Sequence, residues 1–333
     1  MTLLVYMQIL TAMENFKQFD VVTDASDHHF ANSNLEGKQL NKQVTKKIMQ
    51  EWKILEENLP KSSIFVRVYE DRMDLLRAVI IGPPGTPYYN GLFFFDICFP
   101  SDYPAKPPTL NYRSFGIRMN PNLYKSGKVC LSLLNTWSGE KNEKWNPSQS
   151  TVLQVLLSIQ ALVLNEWPYY NEPGVPELNK EASAYNENTW VNTCQTMNFL
   201  LHNPPKHFKE LVIEHFRGNA YTILNACMAY MAGYAKIGAP VIEGRCALPV
   251  YKVSENFRSC MIVVWPKLLD WFGYIGVDVQ RFRKEQMFLP NSVNSKADRK
   301  SKDGTSKKNW SKLLKFFGCL QVAETKNDKA IIV

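Results

Sequence analysis

Residues 64–99 hold three strand-like runs in quick succession, and no other feature of the chain limits its fold as much. Ile64–Tyr69, Leu75–Ile81 and Leu92–Phe99 are rich in β-branched and aromatic residues. Glu70-Asp71-Arg72 separates the first two, and Gly82-Pro83-Pro84-Gly85-Thr86-Pro87 opens the second gap. Connections this short leave no room for a crossover helix, so successive strands pair antiparallel as a meander. Thr109–Tyr112 predicts a fourth strand. The intervening Tyr103-Pro104-Ala105-Lys106-Pro107-Pro108 is no central strand, because its three prolines remove three donors. It is read as a rigid connector.

Helical spacing brackets the strands. Val44, Ile48, Trp52, Leu55 and Leu59 recur at three- or four-residue intervals, predicting an amphipathic helix from Asn41 that ends at Pro60. Its basic first half (Lys42, Lys46, Lys47) reads as a docking surface or a solvated face. A second helix over about 150–164 is apolar enough to be largely buried, through Val152, Val155, Leu156, Ile159, Leu162 and Val163. After the irregular stretch Trp167–Gly174, helices are expected over about 179–201 and 206–217, broken by Asn203-Pro204-Pro205. From Gly218 two further helical segments, 220–236 and 261–275, form an extension. Residues 14–40 are polar with few periodic apolar positions. The expected fold is α+β: an N-terminal helix, a four-stranded antiparallel meander sheet and C-terminal helices, plus a small helical extension. The chain divides into a mostly irregular leader (1–40), a main domain (41–217), the extension (218–280) and a basic, mostly disordered tail (281–333).

Charge bears on partners. The formal net charge is +8, but residues 296–315 contain eight Lys/Arg and two Asp, which leaves +2 for the remainder. The basicity belongs to the tail, and the core is not expected to bind nucleic acid. The tail segment Trp310–Phe317 mixes basic and aromatic residues; a solvated tail, a contact with anionic membrane and a nuclear address all fit it. Seven scattered cysteines without a Cys-x-x-Cys pair argue against a disulfide framework or a zinc site. A reducing compartment, cytoplasmic or nuclear, is expected. The apolar start, residues 1–13, lacks a basic n-region and is too short to span a bilayer; no other run reaches transmembrane length.

Chemistry concentrates in Asn120-Pro121-Asn122-Leu123-Tyr124-Lys125-Ser126-Gly127-Lys128-Val129-Cys130. Turn residues at both ends predict a short ordered loop that holds the Cys130 thiol beside the Asn122 amide. A thiolate accepts acyl groups and an amide N–H stabilises an oxyanion, so acyl transfer through a thioester is the chemistry the loop suggests. A small core hydrophobe is the plainer reading of Cys130, and a turn cap that of Asn122.

The order of these pieces resembles the ubiquitin-conjugating enzyme family. The resemblance rests on Gly82-Pro83-x-Gly85-Thr86-Pro87-Tyr88, Tyr103-Pro104-x-x-Pro107-Pro108, Asn120-Pro121-Asn122 eight residues before Cys130, Trp145-Asn146-Pro147 and Pro173-x-x-Pro176-Glu177. It covers about residues 41–217. Asn120 replaces the histidine of the family's His-Pro-Asn turn, and the loop with Trp137 and Ser138-Gly139 is longer than in the minimal domain. Both features are similar to the large atypical branch, which includes hybrid conjugating enzyme/ubiquitin ligases. The leader and the 218–280 helices are similar to plant members.

The resemblance implies that Cys130 accepts ubiquitin from the activating enzyme as a thioester and passes it to a substrate lysine. Asn122 would support the oxyanion or the loop, and Glu172 would orient or deprotonate the lysine; a plain surface glutamate is the alternative. Tyr124 and Trp137 would shape the cleft. No cofactor is implied on the chain, since the activating enzyme consumes the ATP. Ala105 and Ser148 stand where the family docks ligases through an aromatic and an alanine, so the need for a separate ligase is open. A catalytically inactive ubiquitin-binding variant is the first alternative. A cysteine hydrolase using His202, His207 or His215 is the second.

Overall fold

The computed structural model describes residues 16–32, 40–137, 139–176, 181–241 and 251–285. The expected tail, 281–333, lies outside the described residues from 286 onward, as do the apolar start, Ser138 and Glu177. The tail's first residues, 281–285, are helical instead, because Phe282 is fully buried in the core. The elements are β1 (Phe19–Val22), α1 (Lys42–Asn58), β2 (Ile64–Tyr69), β3 (Leu75–Ile81), β4 (Leu92–Cys98), β5 (Thr109–Tyr112), α2 (Val152–Ser158), α3 (Glu181–His202), α4 (Lys209–Ala232), α5 (Glu255–Tyr274) and α6 (Gln280–Glu285).

The α+β reading holds, and the four meander strands pair antiparallel in sequence order. The strand count differs: β1, from the leader, adds a fifth strand parallel to β2, with Phe19 opposite Val66 and Val22 opposite Tyr69. Val66 N donates to Gln18 O at 2.7 Å and Glu70 N to Val22 O at 2.9 Å. Two caps start helices as their residue types predict. Asn41 Oδ1 accepts from Val44 N at 2.8 Å to begin α1, and Thr151 and Gln154 form a reciprocal capping box on α2.

Strand alternation sends side chains to two cores. Val66, Val68, Leu76, Ala78, Ile80, Phe93, Phe95 and Ile97 pack with α1, α2 and the residues flanking Cys130. Phe65, Val79, Leu92 and Phe94 face the other way, onto α3, α4 and α5. Each large apolar side chain fully buried there contributes roughly 1.5–3 kcal/mol. Two buried polar groups brace the first core. Glu51 accepts from Tyr103 Oη at 2.8 Å and from Val152 N, the start of α2, at 2.9 Å. Burial pushes its carboxyl above the usual range.

The second sheet face carries charge as well. Arg77, fully buried, donates Nε to Asp96 Oδ1 at 2.5 Å and Nη1 to Asp27 Oδ1 at 2.8 Å. His28 Nε2 donates to Leu76 O at 3.0 Å, and His29 N donates to Asp96 Oδ2 at 2.7 Å. Lys206, in the α3–α4 turn, reaches Asp24 Oδ2 at 2.6 Å. The leader thus staples the sheet to the C-terminal helices.

Helix α4 runs unbroken through Gly218, so the boundary drawn between 217 and 218 falls inside one helix. A glycine costs a helix interior about 1 kcal/mol. The buried residues Leu211, Phe216, Ala220, Ile223, Leu224 and Cys227 outweigh it by keeping the face continuous. Among the described residues no helix is long and apolar enough to cross a membrane.

Candidate active site

The Asn-Pro-Asn turn and Cys130 meet as the two arms of a small hairpin, in which Leu123 bridges to Val129. Cys130 N donates to Asn122 O at 2.9 Å, and Asn122 Nδ2 donates to Cys130 O at 2.9 Å. Gly127 closes the turn with a φ of +87°, and a Cβ there would lie 2.3 Å from Asn111 Nδ2; only glycine fits. On the far side of the cysteine, Thr136 Oγ1 donates to Val129 O at 2.8 Å and accepts from Leu131 N at 3.0 Å. The main chain around Cys130 is therefore held on both flanks.

Asn120 works within the fold rather than toward the thiol. Fully buried, it accepts from Asn122 N at 2.8 Å and Leu123 N at 2.9 Å, and donates to Tyr88 Oη and Val163 O, each at 2.9 Å. Val163 ends a π-helical turn, Ile159–Val163, that follows α2. Its carbonyl also accepts Asn171 Nδ2 at 3.3 Å. One oxygen thus ties the Cys130 loop to the short 3-10 turn Pro168–Asn171, which leads into Glu172.

Four side chains surround the thiol. Burial raises the Cys130 pKa above the usual thiol range. Lys128, a hydrogen bond from the Tyr124 hydroxyl, and Arg118 pull it back down, while Glu172 raises it. The Tyr124 ring lies 4.8 Å from the Arg118 guanidinium carbon and 5.7 Å from Lys128 Nζ. Arg118 Nη2 stands 3.5 Å from Glu172 Oε2, with both side chains 50% exposed. The residue Cys130 is only 2% exposed, so an acyl group must come to a thiol already lined with cations. The arrangement suits acceptance of a carbonyl carbon by sulfur, with positive charge close to the anion that forms.

The predicted residues Cys130, Asn122 and Glu172 come together here, with Tyr124 at the thiol and Trp137 half-buried in the following loop. Sequence reasoning missed Arg118, Lys128 and Thr136. For Lys128 a signal was present: two residues from Cys130 on an extended arm, it shares the cysteine's face. The histidines of the hydrolase reading are engaged elsewhere. His202 packs on Trp271 at 5.4 Å, His207 Nε2 donates to Asp24 O, and His215 Nε2 donates to Asn90 O. Among the described residues no group of His, Cys, Asp or Glu is placed to hold a metal ion.

Comparison with known proteins bears on this geometry. The family model for ubiquitin-conjugating enzyme matches residues 47–196. The putative ubiquitin-conjugating enzyme E2 38 of Arabidopsis thaliana is 45% identical over 307 residues, 90% of this chain and 92% of that protein. The chain belongs to the ubiquitin-conjugating enzyme family. Probable ubiquitin-conjugating enzyme E2 24 of the same plant is 51% identical over 271 residues, 79% of this chain and 29% of the relative. Dual E2 ubiquitin-conjugating enzyme/E3 ubiquitin-protein ligase BIRC6 of Homo sapiens is 36% identical over 262 residues, 72% of this chain and 5% of that protein. Against four longer Arabidopsis members the chain spans 25–55% of their length. The chain's Asn120-Pro121-Asn122 turn and Cys130 both lie inside the matched residues.

Proposed function

We propose that the chain is a ubiquitin carrier: Cys130 accepts the ubiquitin C-terminus from the activating enzyme and passes it to a lysine of a protein substrate. In the first step the Cys130 Sγ–C bond forms as the activating enzyme's S–C bond breaks, its electron pair leaving on that sulfur, which takes up the proton that the Cys130 thiol gives up. In the second, lysine Nζ forms an N–C bond, the Cys130 S–C bond breaks, and the amine's proton passes to Glu172 or water. ATP is consumed upstream, by the activating enzyme. Asn122 holds the loop with one amide N–H, on Cys130 O, and keeps the second for the tetrahedral oxyanion. Glu172, shared with Arg118, orients the lysine and takes its proton. The observation that carries this reading is the reciprocal bonding of Asn122 and Cys130 in one hairpin, beside the cluster in which Arg118 and Lys128 flank the Tyr124 ring and Arg118 meets Glu172.

Substrate choice is assigned to the chain itself as well as to partners. Ala105 and Ser148 are both exposed, and Trp145 Nε1 donates to Pro104 O at 2.7 Å, bringing their two loops together. Without an aromatic anchor this surface is a weak dock for ordinary RING-type ligases. Cytoplasm and nucleus are the compartments proposed.

The test is a non-reducing gel after mixing the chain with activating enzyme, ATP and ubiquitin. A thiol-sensitive adduct is expected; Cys130→Ser should give a thiol-resistant ester or none. No adduct with the unaltered chain would support the inactive, ubiquitin-binding reading, and an adduct that persists in Cys130→Ala would remove Cys130 from the chemistry.

A further inference from the structure

The segment after α4 reaches the loop that carries Glu172. Past Gly233, Gly238 O accepts Gly85 N at 3.2 Å. Gly238 has a φ of +86°, and a Cβ there would lie 2.8 Å from the Thr86 backbone, so only glycine permits the approach. This seating places Lys236 Nζ 4.2 Å from the Trp167 ring centroid and 2.6 Å from Glu166 Oε1. Asn186, buried on α3, anchors the same segment by donating Nδ2 to Glu166 O at 2.8 Å. Trp167 precedes the turn Pro168–Asn171 and packs 6.4 Å from Tyr170. Glu172 ends that turn and faces Arg118.

We infer that Lys236 is a positioning residue for ubiquitin transfer: by clamping Glu166 and Trp167 it fixes the turn that aims Glu172 at Cys130. The inference rests on the reading of Cys130 as the thioester carrier. It gives the helical extension a part in the reaction although no residue of it touches the reacting atoms. Lys236 contributes a charge and a ring contact from a side chain 37% exposed, so its truncation leaves water rather than a core cavity.

The test uses the full chain as Lys236→Ala, Lys236→Arg, Glu172→Gln and the Lys236→Ala/Glu172→Gln pair, with two readouts. One is discharge of a preformed ubiquitin thioester to free lysine. The other, which needs no ubiquitin, is alkylation of Cys130 by iodoacetamide across pH, followed on the Cys130 peptide by mass spectrometry. Lys236→Ala should slow discharge on the order of tenfold, inside the hundredfold that a 1 Å misplacement can cost. Lys236→Arg, which retains cation and ion pair, should restore most of the rate. In the Glu172→Gln background Lys236→Ala should add less than about twofold, because residues acting through one another are not additive. The alkylation profile of Lys236→Ala should move slightly to lower pH, as in Glu172→Gln, since the carboxylate that adds to the effect of burial on the thiol has moved away. Wild-type discharge and profile in Lys236→Ala, or a loss undiminished by Glu172→Gln, would overturn the inference. An unaltered chain that never charges sinks the carrier reading instead, and the alkylation profiles then decide on Lys236 alone.

Discussion

At Cys130 two influences oppose each other, and they differ in how far they can be changed. Burial, which raises the thiol pKa, is built into the hairpin; Lys128 and Arg118, which lower it, are exposed and open to salt. Thiolate therefore accumulates only as pH rises toward a value above the usual thiol range. Lys128→Ala should move the iodoacetamide profile of Cys130 to still higher pH, by less than about one unit for an exposed charge, and 0.5 M salt, with a screening length of roughly 4 Å, should shrink that shift. A shift to lower pH in Lys128→Ala would contradict the charge arrangement described. Asn122 acts over a shorter range. Asn122→Ala leaves the buried Cys130 carbonyl without its donor, which costs about 1–3 kcal/mol, read as a lower urea midpoint. If the second N–H serves the oxyanion, thioester formation and transfer to lysine both slow by about a hundredfold or more, since each passes through a tetrahedral intermediate. Near-normal rates in both steps, with only the urea midpoint lowered, would reduce Asn122 to a loop support.

Among the elements, helix α4 carries its own titration. His215 is fully buried, donates Nε2 to Asn90 O at 3.0 Å, and burial lowers its pKa to about 4. Protons bind the unfolded form first, near pH 6.5. The contribution of this histidine is thus complete above about pH 6.5 and is lost as pH falls toward 4. His215→Gln, which can still donate to Asn90 O, should flatten the fall in urea midpoint between pH 7 and 5; an unchanged slope would assign it to other groups. The elements also show what could be read beforehand. α1 was legible because one buried face imposes a local period, the meander strands β2, β3 and β4 because β-branched and aromatic runs buried on both faces sit between turn residues, and Cys130 and Asn122 because turn residues fix their spacing. β1 was not: Phe19-Asp20-Val21-Val22 is short, carries a charge, and pairs parallel with a strand far along the chain. The π turn at Ile159–Val163 looked like plain helix, since its extra residue changes hydrogen bonding and not composition. Arg118 escaped because its place beside Tyr124 depends on how a loop folds back, and no periodicity records that.

For the described part of the molecule, the second sheet face and the helices α3, α4 and α5 share one core. A chain cut after residue 217 would lose the second half of α4 and all of α5, uncovering Phe65, Val79 and Phe94. We expect such a fragment to bind a hydrophobic dye and to lose its sharp urea transition; a cooperative, dye-silent fragment would show that residues 41–217 fold alone. The other end has a different consequence. β1 covers the outer edge of β2, and Arg77 and Arg67 hold the leader there through Asp27 and Lys17 O. Cutting the chain at residue 40, where the family resemblance begins, would bare a six-residue strand with its donors and acceptors unmet. A trimmed domain of that kind would recruit a neighbour's strand to replace the one removed, so the short leader acts as the molecule's guard against self-association.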